Sequence, residues 1–151
     1  MKQLVCLLAL VQASFLVGCN SPASVDGVVP VAGMVQHEGQ PVAGATVTFA
    51  PDGSGRACTG ATDENGRFEL TTLQPGDGAM PGKYKVLISK SEVVGAMSED
   101  EESAYLEEHG RAPAITVKEF LPVKYKTPKT SDLTAEVTES GENHFTFDLA
   151  G

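Results

Sequence analysis

Cysteine has the most distinctive chemistry in this chain, because a thiolate is both a nucleophile and a point of covalent attachment. The sequence contains three cysteines, Cys6, Cys19 and Cys58. Cys19 directly follows Leu16-Val17-Gly18, so a small residue precedes its thiol. Cys19 is therefore the first candidate for a residue with chemistry of its own.

The residues before Cys19 have the pattern of an export signal. Lys2 supplies a positive charge, and residues 4–17 form an apolar run broken only by Gln12 and Ser14. As a helix this run would rise about 21 Å, short of the roughly 30 Å apolar core of a bilayer. The sequence therefore predicts a signal peptide over residues 1–18 rather than a membrane-spanning helix.

Leu16-Val17-Gly18-Cys19 resembles the lipobox of bacterial lipoproteins. The resemblance implies a diacylglyceryl group on the Cys19 thiol and acylation of its new amino group, and a second chain turns marginal membrane binding into stable anchoring. Asn20 stands where an aspartate would, by the enterobacterial sorting rule, imply inner-membrane retention. The resemblance thus implies an outer-membrane anchor, facing the periplasm or the surface. The alternative is an ordinary signal peptide with an incidental Cys19.

Charge and residue counts exclude several classes of partner. Eleven Lys and Arg against 20 Asp and Glu give a net charge of −9, which argues against nucleic acid and gives no polybasic route to an anionic bilayer. Cys6 lies in the predicted leader and Cys19 at the predicted cleavage point, so the folded domain keeps only Cys58. An internal disulfide is therefore not expected. His37, His109 and His144 are too widely spaced for a zinc site. We expect no metal and no cofactor.

The other polar clusters favour structural explanations. Asp63-Glu64-Asn65 could supply calcium ligands, but a lone loop lacks the remaining oxygens, so a turn is favoured. The acidic run 99–102, continued by Glu107 and Glu108, could bind cations or a basic partner, but a solvated helix face is favoured. No Gly-x-Ser-x-Gly signature accompanies the Ser, His and Asp residues, and Cys58 is interpreted as a packing residue. We therefore predict no enzymatic activity.

Alternation of apolar and polar residues predicts strands over most of the chain after a polar tether at residues 19–29. Seven segments in the domain 30–151 have this pattern: 31–36, 45–49, 57–62, 68–70, 82–88, 133–137 and 144–149. Asn65-Gly66 predicts a hairpin turn, because it accepts the positive φ of a tight turn. The expected fold is all-β, a seven-stranded antiparallel β-sandwich.

The acidic segment 91–118 lacks strand alternation and forms an insertion between predicted strands five and six. Ser98 with Glu101 makes a capping box, and Gly110 supplies a stop signal at the other end. We expect a short surface helix in this insertion.

Several segments resemble the carboxypeptidase regulatory-like domain, a transthyretin-like (prealbumin-like) β-sandwich found as an accessory module. They are Gly33-Met-Val-Gln-His-Glu-Gly-Gln-Pro-Val-Ala-Gly-Ala-Thr-Val-Thr-Phe49 and Thr62-Asp-Glu-Asn-Gly-Arg-Phe68. The stretches 76–86, 121–125 and 128–131 resemble small lipoproteins of this type in planctomycete-type bacteria. The chain ends Phe147-Asp-Leu-Ala-Gly151, without the terminal Tyr-Arg-Gly-Ser of transthyretin-like hydrolases, and no tyrosine stands in ligand spacing with a histidine as in related dioxygenases.

These observations favour a non-catalytic envelope module, held on the membrane through Cys19, that contacts an envelope protein or a surface polysaccharide. A periplasmic carbohydrate- or small-solute-binding domain is the alternative, and a hydrolase is the third possibility. The missing tryptophan weakens the carbohydrate alternative, since sugars stack on aromatic rings.

Overall fold

The computed structural model describes residues 26–151. Strands dominate this part of the chain, as the all-β prediction requires, and one α-helix and one 3₁₀ helix accompany them. The strands are β1 (Ala32–His37), β2 (Gln40–Pro41), β3 (Thr46–Pro51), β4 (Cys58–Ala61), β5 (Arg67–Glu69), β6 (Gly82–Ser89), β7 (Ser91–Val94), β8 (Thr116–Glu119), β9 (Thr134–Val137) and β10 (His144–Leu149). The α-helix is α1 (Glu99–His109), and the 3₁₀ helix is Val123–Lys126.

The strands form two four-stranded sheets and a separate two-stranded ribbon. In the first sheet β1 lies between β10 on one side and β2 and β5 on the other. The second sheet has the antiparallel order β4-β3-β6-β9, and the ribbon pairs β7 with β8. β1 and β10 pair in parallel, which departs from the expected antiparallel arrangement. These two strands come from opposite ends of the described chain, so no tight turn has to join them.

Alternating side chains from both sheets meet in one apolar core. Phe49 of β3 has the central place, with ring contacts to Tyr84 in its own sheet and to Phe68, Phe145 and Phe147 of the other. Its side chain is fully buried, as are those of Val35, Val47, Val86, Ile88 and Leu149. Burial of such apolar area is the main favourable term in folding. The period-two pattern therefore predicted the buried faces correctly.

Gly33 on β1 gives Phe68 the space it occupies. A Cβ at Gly33 would lie 2.6 Å from the Phe68 ring and 2.2 Å from the carbonyl oxygen of Phe145. Only glycine permits the ring to pack this closely on the strand.

The turn at residues 63–66 is present, but it does not form the expected hairpin. It joins β4 of one sheet to β5 of the other, so the flanking strands pair with β3 and β1 respectively. Gly66 has φ 75°, as predicted for the turn. Turn chemistry alone could not distinguish a hairpin from a crossing between sheets, because both need the same local backbone.

The insertion contains strands that the sequence pattern did not predict. Its two ends form β7 and β8, and α1 lies between them. The helix is confirmed with its capping box, since the Glu101 N–H reaches the Ser98 side chain and the Glu101 carboxylate accepts from the Ser98 N–H. Gly110 ends it with φ 67°. The ribbon was not predicted because every residue of β7 and β8 except the half-buried Glu119 is exposed, so a buried face is absent from the pattern.

The segment after β8 returns to the core. Leu121 and Tyr125 are buried, and the Tyr125 hydroxyl donates to the Ala150 carbonyl and accepts from the Ala150 N–H. An ion pair between Glu119 and Lys126 brackets Leu121 and Tyr125 in the sequence. The insertion is therefore tied down at its base.

Candidate functional site

Cys19 and most of the predicted tether lie outside the described residues. The described part shows only where the tether reaches the domain. Val29 and Ala79 exchange two backbone hydrogen bonds, of 2.9 and 3.0 Å, so Val29 already belongs to the domain. Among residues 26–151 no helix has the length and apolar character needed to cross a bilayer.

The segment 91–119, here called the arm, is the first candidate contact surface. β7 follows β6 after a single residue, and the Phe120 N–H donates to the Lys90 carbonyl at the base. Ala79 precedes β6, so the entry of the chain and the arm lie at opposite ends of that strand, roughly 23 Å apart along it. The arm therefore begins at the end of β6 opposite to the one at which the tether enters.

One face of the ribbon is apolar and exposed. Val93 and Val117 are directly opposite each other in the β7–β8 register, each 56% exposed. Ile115, immediately before β8, is 68% exposed. Ten large hydrophobic residues are exposed in the described part of the chain, and six of them belong to the arm. Such a concentration on one segment is unusual, since exposed apolar residues are normally scattered.

The helix of the arm is mostly charged, and its apolar Leu106 is exposed. It buries none of its residues, and its first turn carries Glu99, Asp100, Glu101 and Glu102. These carboxylates lie where the helix dipole favours negative charge. Hydrogen bonds from the Ser98 N–H and hydroxyl lower the pKa of Glu101 below its ordinary value. The acidic run is thus a solvated helix face, as the sequence indicated.

A groove of about 840 Å³ on the outer face of the first sheet is the second candidate site. Ala32 and Met34 of β1 form its floor. In the strand register Ala32 lies between Glu69 of β5 and His144 of β10, and Met34 lies beside Arg67. Glu69 and His144 are two strand spacings apart, so their Cα atoms are separated by roughly 10 Å. The groove therefore has a small apolar floor and charged walls.

The charged side chains of the groove are not paired with each other. Neither Arg67 nor Glu69 forms an ion pair with another described residue, although both project from the same face of β5. The Arg67 guanidinium, a hydrogen-bond donor, and the Glu69 carboxylate, an acceptor, are therefore available to a solute with hydroxyl or charged groups.

The rim of the groove is shaped by a loop built around Asp77. Its carboxylate accepts the backbone N–H groups of Thr72, Leu73 and Gln74 at 2.6 to 2.9 Å. Burial alone would raise the pKa of Asp77, but these hydrogen bonds together hold it below its usual value. Asp77 thereby fixes the loop whose Thr71, Pro75 and Gly76 line the groove.

Cys58 is a core residue, as the sequence indicated. It is 1% exposed, and burial raises the pKa of its thiol to about 11, with the Thr72 side chain opposing and Asp77 adding to the shift. A thiol with this pKa is almost entirely protonated at neutral pH and is a poor nucleophile. The structure therefore gives it a packing role.

The remaining polar candidates do not converge. One carboxylate oxygen of Asp63 accepts hydrogen bonds from the backbone N–H groups of Asn65 and Arg67, as is typical of an aspartate in a turn. His109 stacks on Tyr105 at 4.0 Å between ring centroids on the exposed helix, far along the chain from His37 and His144. Among residues 26–151 no three His, Cys, Asp or Glu side chains are grouped to hold a metal ion.

Sequence patterns predicted the acidic insertion and its helix, with a basic partner as one alternative for the acidic run, but they predicted neither the groove nor the exposed ribbon. The groove combines residues from β1, β5, β10 and a loop, and the pairing of those strands is not visible in local patterns. The arm could have been suspected from the contiguous Val93-Val94 and the Ile115–Val117 stretch, which lie on either side of an acidic helix at similar distances.

Comparisons with known proteins leave the family open. The sequence matches no family model and no curated protein. Among solved structures, a 9R-lipoxygenase from Cyanothece is similar over 85% of this chain, with 13% identity and a TM-score of 0.37. The chain spans 17% of the length of that enzyme. A likeness at this level carries no argument about function.

Proposed function

We propose that this chain is a lipid-anchored protein of the bacterial cell envelope whose β-sandwich domain is a non-catalytic contact module. The module is of the carboxypeptidase regulatory-like, transthyretin-like type, and it contacts an envelope protein or a surface polysaccharide. Two facing sheets with one shared core are compatible with that fold. The anchor is supported by the apolar leader and by the sequence Leu16-Val17-Gly18-Cys19.

The exposed apolar residues of the arm are the main support for the contact role. It begins at the end of β6 remote from the tether entry, and it exposes Val93 and Val117 of the ribbon and the adjacent Ile115. Apolar side chains kept in water cost free energy that a binding partner recovers by covering them. An anchored domain with such an arm is suited to hold a partner away from the lipid surface.

Metabolic labelling with palmitate tests the anchor. Cys19→Ser should abolish incorporation and release or mislocalise the protein, because the thioether requires the thiol. Cys58→Ser is the matched control and should keep its label. Continued labelling of the Cys19→Ser chain would exclude the anchor.

Cross-linking in the living cell tests the contact role. A photoreactive amino acid at Val117 should give a discrete adduct, whereas the same group at exposed Thr46, on the outer face of β3, should not. Equal adducts from both positions, or none from either, would argue against the arm as the contact surface.

A solute-binding domain remains the second candidate, and the groove favours it. The floor of Ala32 and Met34 and the walls with Arg67 and Glu69 suit a polar solute such as a carbohydrate. Consistent binding on a glycan array, lost in Arg67→Gln with Glu69→Gln and kept in Arg56→Gln with Glu64→Gln, would support this role.

A further inference from the structure

The arm consists of two elements that are each marginal alone. Two-stranded ribbons are barely stable in water, and an isolated helix of 11 residues is too short to be stable without packing. The ribbon is exposed along both strands and α1 buries nothing. A partner that covers the Val93–Val117 face would supply the third layer that this segment lacks.

The charge of the arm restricts what that partner can be. Residues 91–119 hold eight acidic and two basic side chains, a formal charge of −6 out of −9 for the whole chain. Most of this charge lies on α1, at the tip. A second copy would bring two such charges together, and an anionic lipid surface would repel the arm.

We infer that the arm binds a protein surface on which basic side chains border an apolar strip. The strip covers Val93, Ile115 and Val117, and the basic side chains approach the carboxylates of α1. Opposite charges steer the encounter, and the apolar contact holds the complex. This inference rests on the proposed contact role and names the chemistry of the partner.

The chain has no tryptophan, so Val117→Trp places a single fluorescent reporter on the apolar face. The full chain with this change, in phosphatidylcholine vesicles, is titrated with a blocked peptide of alternating lysine and leucine. The emission of the introduced indole should shift to shorter wavelength and saturate, because the peptide excludes water from the ring. Peptides of alternating lysine and serine, or of glutamate and leucine, should give no comparable shift.

The charge requirement is tested with Glu107→Gln and Glu108→Gln together. These carboxylates lie near the C-terminal end of α1, where the dipole disfavours them, so their neutralisation does not weaken the helix. The peptide concentration for half-saturation should rise about threefold, and about tenfold when Glu99→Gln and Glu102→Gln are added. The control variant, with glutamine at Glu64, Glu136, Glu139 and Glu142, should bind as the parent does.

Several outcomes would overturn the inference. No shift with the lysine–leucine peptide, or equal affinities for the α1 variants and the control variant, would exclude a basic apolar partner. A blue shift that grows with protein concentration alone would identify a second copy, and one caused by phosphatidylglycerol vesicles would identify a membrane surface. An adduct from Val117 in cells together with a failed titration would leave the contact role intact and remove only this partner chemistry.

Discussion

Gly66 shows how a single backbone position ties the two sheets together. Its carbonyl accepts the Val35 N–H of β1 at 2.8 Å, and its own N–H donates to the Asp63 carbonyl. The residue has φ 75°, and a Cβ there would lie 2.6 Å from the Val35 carbonyl oxygen and 3.0 Å from the Val42 nitrogen. Both the backbone conformation and the close approach of neighbouring main chain therefore require glycine.

Gly66→Ala should lower the free energy of unfolding by about 2–4 kcal/mol, since it combines a left-handed backbone penalty with overpacking against main chain. Gly39→Ala separates the two effects, because Gly39 has φ 76° but nothing within 4 Å of its Cβ position. That variant should lose only about 1 kcal/mol. Denaturant unfolding of both chains measures the difference, and equal losses would show that the contacts with Val35 and Val42 are unimportant.

At this scale the sequence predicted most of what the structure shows. Alternation placed Val47, Phe49, Phe68 and Leu149 inward, and all four are buried. Cys58 was assigned to packing for its small neighbours, and it is buried. Alternation could not predict the space that Gly33 leaves for Phe68, because that contact depends on how β5 pairs with β1.

The capping box of α1 is an element whose stability depends on pH. The Glu101 carboxylate accepts hydrogen bonds from the Ser98 N–H at 2.9 Å and from its hydroxyl at 2.8 Å, and these lower the Glu101 pKa from an ordinary value of 4.5. A lowered pKa in the folded helix means that the stabilisation is present above pH 4.5 and is lost as the pH falls through the folded value. The helix should therefore fray as the pH falls below 4.5.

Ser98→Ala should reduce the helical Cα chemical shifts of residues 99–109 at neutral pH and flatten their change below pH 4.5, because the cap no longer depends on the Glu101 charge. Ser103→Ala, at an exposed position inside the helix, should keep or raise those shifts, since alanine is the better helix former. A Ser98→Ala chain with unchanged shifts at neutral pH would show that the capping box contributes nothing.

The helix was predictable because its start and stop signals are local, whereas its flanking strands were not. Ser98, Glu101 and Gly110 each act within one turn of chain. Paired residues of β7 and β8 are more than 20 positions apart in the sequence. Neither strand has a buried apolar face, and it is such a face that produces the alternating pattern by which strands are predicted. The parallel pairing of β1 with β10 was also not predictable from local sequence, because it depends on the packing of the whole domain.

For the molecule as a whole, the central question is whether the arm belongs to the folding unit or is carried by it. The core contains no residue between Ile88 and Leu121, so the arm adds nothing to the shared interior of the two sheets. The segment that follows it differs, because Leu121 and Tyr125 are buried and Tyr125 is hydrogen-bonded to Ala150. A domain and an attached contact arm are therefore separable on physical grounds.

Replacement of residues 93–117 by Asn-Gly tests this separation. Glu92 and Lys118 are opposite each other in the antiparallel register and in phase with the hydrogen-bonded pair of Lys90 and Phe120, so a two-residue turn can join them. The shortened chain should unfold within about 1 kcal/mol of the parent, because no buried apolar area is lost. Tyr125→Ala should instead cost about 3–5 kcal/mol, since it empties a core position. If the shortened chain fails to fold while Tyr125→Ala is tolerated, the arm is part of the folding unit, and its exposed valines must be explained by folding rather than by a partner.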